Sequence, residues 1–180
     1  FLRRMGRNTY LGGYMDASYR ATESANNQFE VLRFVPFIYS DISDRVKMAA
    51  EIEIEHGGAN VSGGALGDAG TINGEVKLEF ATVDFLLRDE VNFRAGLILV
   101  PLGKFNLVHD APLQDLVDRP LVDTNIIPTT LTQAGMGFFG TFYPTELSKL
   151  DYEIYATNGF GNNINATNGI RGARIFRYDR

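Results

Sequence analysis

The chain has 180 residues, 22 acidic and 17 basic side chains, a formal net charge of -5 and no cysteine. The acidic balance argues against nucleic acid as a partner, because a basic patch is the expected footprint of such binding, and the missing cysteine excludes disulfides and thiolate metal sites. No run of ten consecutive apolar residues occurs, which excludes a transmembrane helix but not a membrane strand, whose two faces average out.

Strand one is expected at Thr9–Arg20, with Leu11, Met15, Ala17 and Tyr19 on one parity and Asp16, Ser18 and Arg20 on the other. A polar loop, Ala21–Gln28, leads to strand two, Phe29–Ser40, with Arg33 opposite Leu32, Phe34 and Ile38; Pro36 marks an edge or a bulge. After a short turn, strand three spans Val46–His56, with Val46, Met48, Ala50, Ile52 and Ile54 against Lys47, Ala49, Glu51, Glu53 and Glu55. Gly57–Asn73 is a glycine-rich loop.

A central hairpin follows. GEVKLEFATVDFLL sets Glu75, Lys77 and Glu79 against Val76, Leu78 and Phe80. Arg88-Asp89-Glu90 turns the chain, and VNFRAGLILVPLGKFN sets Asn92, Arg94 and Lys104 against Val91, Phe93, Ala95, Leu97 and Leu99. These read as strands of fourteen and sixteen residues, well beyond the five or six residues typical of soluble sheets and long enough for a tilted membrane crossing. The parity breaks within the first of them, where Asp84 shares a face with Val76 and Leu78; either Asp84 lies close to the periplasmic turn, where a charge costs less, or a bulge after Phe80 flips the register.

The longest connection, Val108–Thr132, holds a helical turn at Asp110–Val117, with Asp110 as its cap and Pro112 in the first turn. Strand six is Gln133–Pro144, strand seven Leu150–Asn158 with Asp151, Glu153 and Tyr155 opposite Tyr152, Ile154 and Ala156, and Ala173–Arg180 begins an eighth. Long and short connections alternate along the chain, which sorts long loops to one end of a meander and tight turns to the other, as in outer-membrane barrels.

The runs DRVKMAAEIEIEHGG, GEVKLEFATVDFLL, RAGLILVPLGKFN, HDAPLQDLVDRPLVDTNIIPTTL, GMGFFGTFYP and LDYEIYATNG resemble the bacterial porins grouped with the phosphate-selective porin O and P family, over about Gly12 to Gly159. The resemblance implies a sixteen-stranded outer-membrane barrel about twice this length, usually a homotrimer, with a long loop folded inward. Residues 1–180 would then be one all-β, antiparallel transmembrane β-barrel domain, about eight strands or half a barrel, in a chain continuing past Arg180. The implied partners are the outer-membrane bilayer and small hydrophilic solutes or ions; no cofactor, metal or catalysis is expected.

On this reading the pore wall carries Glu51, Glu53, Glu55, Glu75, Glu79, Asp151 and Glu153 against Arg33, Lys47, Lys77, Arg94 and Lys104. Phosphate-selective members present a ladder of basic residues instead, so this wall is expected to favour cations. In the long loop, Asp110, Asp118, Arg119 and Asp123 either form a constriction or pin the loop by an ion pair; the Arg119-Pro120 corner favours pinning.

Two other patterns read as structure. Glu51, Glu53 and Glu55 lie on one strand face at intervals of about 6.6–7 Å, too wide for one metal ion without other ligands, and His56 has the opposite parity. Gly135–Gly140 spells G-x-G-x-x-G, but the extended Thr141–Pro144 follows where dinucleotide binding requires a helix. No Ser-His-Asp or Cys-His arrangement stands out. The rival readings are a barrel serving as a sheath around a partner and a soluble all-β binding module.

Overall fold

The structure, a computed structural model, describes residues 3–5, 8–21, 23, 27–61, 72–116, 119–122, 130–162 and 170. It is all-β. Eight strands follow one another in sheet order: β1 (Arg3–Met5), β2 (Thr9–Arg20), β3 (Gln28–Asp41), β4 (Val46–Val61), β5 (Ile72–Arg88), β6 (Val91–Leu99), β7 (Thr132–Thr145) and β8 (Ser148–Thr157). Helix is confined to α1 (Gly103–Leu107) and a 3-10 turn at Ala111–Leu113 among the elements with defined bounds.

The residues group into two compact units, Phe1–Tyr39 with Ala50–Leu78 and Ser40–Ala49 with Glu79–Arg180. In the first, β2 alternates as expected: Leu11, Met15 and Tyr19 are exposed while Asp16 is partly covered. On β3, Phe29, Val31 and Phe34 are exposed and Val35 is fully buried, so the outward parity shifts between Val31 and Phe34. β4 outlasts its clean alternation: His56, Gly57 and Gly58 take positive φ values of 46°, 74° and 73°, and the strand resumes to Val61. The expected loop at Gly57–Asn73 is therefore shorter, because glycines let the ladder continue past a local kink.

In the second unit, β5 and β6 pair through the turn at Asp89 and Glu90, with Asp84 opposite Arg94 and Phe85 opposite Phe93. Both Glu79 and Thr82 are buried, while Phe85 and Leu87 are exposed. By burial the inward parity switches between Glu79 and Thr82, and Asp84 lies opposite Arg94; within the pairing of β5 with β6 the register shift falls between Leu86 and Arg88, beside the turn. Gly96 lies at φ +136° between Thr82 and Gly135. A Cβ there would stand 2.1 Å from the Ala81 carbonyl oxygen, so only glycine allows this close approach of β5 and β6.

Strand five is shorter than expected, ending at Leu99 rather than Asn106. Pro101 has no N–H to offer the ladder, Gly103 turns at φ +71°, and α1 follows. Lys104 consequently sits exposed on that helix, off the sheet. The helical turn expected at Asp110–Val117 is a single 3-10 turn, and the Asp110 side chain does not cap it. Gly135–Gly140 lies inside β7, with Thr141–Thr145 continuing the strand, so the helix a dinucleotide motif requires does not follow. The expected eighth strand at Ala173–Arg180 and the loop residues Asp118 and Asp123 lie outside the described residues.

Candidate functional site

The sheet carries several of its ionised groups under cover and many of its apolar groups in the open. In the first unit, Arg33 lies between two carboxylates, 3.2 Å from Glu53 and 3.7 Å from Asp16. Glu51 and Glu53 are buried and Glu55 partly so. His56, of opposite parity to Glu51, Glu53 and Glu55, pairs with Glu30 at 3.1 Å. Glu75 is exposed and Lys77 half-buried.

In the second unit the same inversion is sharper. Phe85, Leu87, Val91, Met136, Phe138, Phe142, Leu150 and Ile154 are exposed on β5 to β8, while Glu79, Thr82, Asn92, Thr132 and Gln133 are buried. Burial of one such apolar side chain is worth about 1.5–3 kcal/mol. Leaving eight of them half-exposed to water forfeits on the order of 10 kcal/mol, comparable with the whole net stability of a domain. An apolar surrounding removes that deficit.

The central polar row runs across β5, β6, β7 and β8. Arg94 makes a bidentate fork to Asp84, with both N···O distances 2.7 Å, and its guanidinium lies over the Phe139 ring at 4.7 Å. Its cross-strand neighbour on β7 is Gly137, which in turn faces Tyr155 on β8. Because Gly137 has no side chain, Tyr155 covers its place, and a Cβ there would stand 2.6 Å from the ring. The Tyr155 hydroxyl reaches Glu153 at 2.8 Å and Arg94 at 3.3 Å.

Further cations of this unit also have carboxylate partners. Lys47 meets Asp41 at 2.9 Å, and Lys149 meets Asp151 at 2.9 Å. Asp151 also accepts from the Thr141 hydroxyl. Glu153 and Asp151 are exposed. A cation locked to a neighbouring carboxylate adds little field at a distance, so the outward electrostatics are set by the excess of acids.

The connection 100–131 is tied to this face at Glu79. Oε2 of that carboxylate lies 2.8 Å from His109 Nε2, and Oε1 accepts from the Thr130 hydroxyl at 2.6 Å. His109 Nδ1 is 3.0 Å from the Asn106 carbonyl oxygen. A carbonyl cannot donate, so Nδ1 carries a proton and a second proton lies between Nε2 and Glu79. The pair is then neutral overall, as its burial at 2% and 1% exposure demands. Asn106, fully buried, closes the neck of the loop: its amide donates to the carbonyls of Val100 and Leu131 and accepts from the Leu131 N–H. Gln114 donates to the His109 carbonyl. Beside these, a cleft of about 410 Å³ is lined by Lys104, Phe105, Val108, Leu113, Asp115 and Val122, among others.

Sequence reasoning placed Glu79 and Arg94 on the polar face but missed His109, Asn106 and Thr130. The loop has no periodicity from which to read an orientation. The available signal was a histidine near the start of a long connection, with an inward glutamate two strands back, on β5. Of the expected loop residues, Asp110 stands 3.9 Å from His109 Nε2 and Arg119 is partly covered.

No known protein family matches the chain, and no solved structure matches it. It is 31% identical over 151 residues to an uncharacterized protein of Aquifex aeolicus (strain VF5). The aligned stretch is 83% of this chain and 32% of that protein, so the chain spans about a third of the relative's length.

Proposed function

We propose that the chain forms part of a transmembrane β-barrel in a bacterial outer membrane, a porin that passes small hydrophilic solutes and ions down their gradients without catalysis. The observation that carries this reading is the inverted sheet, with Phe85, Met136, Phe138 and Ile154 outward and Glu79, Asn92, Arg94 and Gln133 inward. Strand lengths support it, since β3, β4, β5 and β7 have 14, 16, 17 and 14 residues. So do the connections: 42–45, 89–90 and 146–147 are tight, while 21–27, 62–71 and 100–131 are long. Tyr19 against Phe29 and Phe142 stacked on Tyr152 supply aromatic pairs on exposed ground, as membrane interfaces favour.

The resemblance to the phosphate-selective porins adds the sixteen-stranded, homotrimeric form. The phosphate is declined, because the basic residues Arg33, Lys47 and Arg94 are held by carboxylates. Solute passage follows from a water-filled lumen in which the acid excess raises the local concentration of cations and the long loop limits solute size. A sheath around a partner would share the faces but not conduct.

The test is reconstitution of the full natural protein in a planar bilayer under a tenfold KCl gradient. Stepwise conductance with a reversal potential of the sign for K+ over Cl- is expected. A protein that stays monodisperse without detergent and forms no steps would contradict the reading.

A further inference from the structure

Among the described residues of the connection 100–131, α1 has five residues and the 3-10 turn three, and isolated helices of fewer than about 12 residues are marginal in water. The position of these pieces therefore leans on side-chain tethers. Asn106 joins the two ends of the connection, but Glu79 does something different: it fastens both limbs of the loop to the polar face of β5. The outgoing limb arrives through His109 at 2.8 Å and the returning limb through Thr130 at 2.6 Å, one on each carboxylate oxygen. All three side chains are almost completely buried.

We propose that Glu79 and His109 are positioning residues that clasp the two limbs of the connection, at His109 and at Thr130, against the wall, and that their hydrogen bonds hold those limbs in place. For its effect on conduction this rests on the channel reading above; for the position of the loop it does not.

The chemistry of the clasp predicts which replacements work. A glutamine at position 79 keeps both bonds, since its carbonyl oxygen accepts from Thr130 and its amide donates to an imidazole protonated only at Nδ1. An alanine keeps neither. Glu79→Ala leaves His109 Nε2 and the Thr130 hydroxyl without this partner in a buried place, and His109→Ala removes the outgoing tether from the loop side without altering any strand residue.

The experiment is amide hydrogen exchange, read by mass spectrometry on the full natural protein in detergent, for Glu79→Ala, His109→Ala and Glu79→Gln. Exchange in peptides from 100–131 is expected to accelerate about 10- to 100-fold in both alanine variants, while peptides from β6, β7 and β8 stay at the parent rate. Glu79→Gln is expected to stay within about threefold of the parent, a rescue that a purely steric role for the side chain shares but a purely ionic one does not. Threonine supplies the remaining distinction: Thr130→Val, of equal bulk, is expected to open the loop as well. Unchanged loop exchange in His109→Ala, or Glu79→Gln as open as Glu79→Ala, would overturn the clasp. In bilayers the alanine variants should give larger or noisier steps. If the parent conducts nothing while the exchange pattern holds, the clasp stands and the channel reading falls.

Discussion

Phe138→Arg is expected to lower stability in a bilayer by about 2–4 kcal/mol, the cost of a basic residue on a lipid face near the midplane. Phe138 is exposed on β7, packs edge-on against Phe93 at 5.5 Å and pairs with Ile154 of β8. Its sequence neighbour Phe139 pairs with Glu153 on the other face. Glu153→Gln changes a residue one step away but towards water, and loses the attraction of the carboxylate for Arg94 while an amide oxygen still accepts from Tyr155. Its expected cost is under about 1 kcal/mol. Guanidinium unfolding of both variants from lipid vesicles measures the difference. Equal costs would mean that the two faces meet the same medium.

Arg94 carries the second large effect. It holds Asp84 by a bidentate fork, lies on Phe139 and takes the Tyr155 hydroxyl. Breaking a buried pair costs about 3–5 kcal/mol because the remaining charge stays uncompensated. Here the two side chains are 28% and 18% exposed, so water recovers part of that, and Arg94→Met is expected to cost about 2–3 kcal/mol. Arg94→Lys keeps the charge but not the planar fork or the ring contact, and should lose about 1–2 kcal/mol. Adding Asp84→Leu to Arg94→Met is expected to restore most of the loss, since no charge is then left behind. The same vesicle unfolding, with Asp84→Leu alone added to complete a double-mutant cycle, reads the parent and the four variants.

Much of the sheet was legible because membrane-length strands repeat one signal many times. β2 begins and ends at the expected Thr9 and Arg20, and β7 and β8 differ by one or two residues at each end. The turn at Asp89 and Glu90 was equally plain, being charged residues between two long alternations. The conflict at Asp84 with its neighbours' parity could also be read, but the sequence left a bulge after Phe80 and a place near the turn as alternatives.

Illegible parts are those where contacts join distant residues. Strand β6 was drawn too long because Leu99, Val100 and Leu102 continue an apolar run, while the backbone had already lost a donor at Pro101 and handed its carbonyl at Val100 to the Asn106 side chain. His109 meets Glu79 across 30 positions and Thr130 meets it across 51. No local pattern encodes such a meeting. What the sequence does carry is the unlike chemistry of the two sheet faces, and the proposed membrane reading rests on it.

The central claim is that the outward face of β7 lies in hydrocarbon. These 180 residues contain no tryptophan, so Phe138→Trp introduces their one indole on that face; with any tryptophan beyond them replaced by phenylalanine, lipids brominated along their acyl chains quench it only if it lies within the bilayer. Strong quenching, greatest with bromines near the chain ends, is the predicted result. An indole unquenched by every brominated lipid, in protein that remains with the vesicles, would contradict the account.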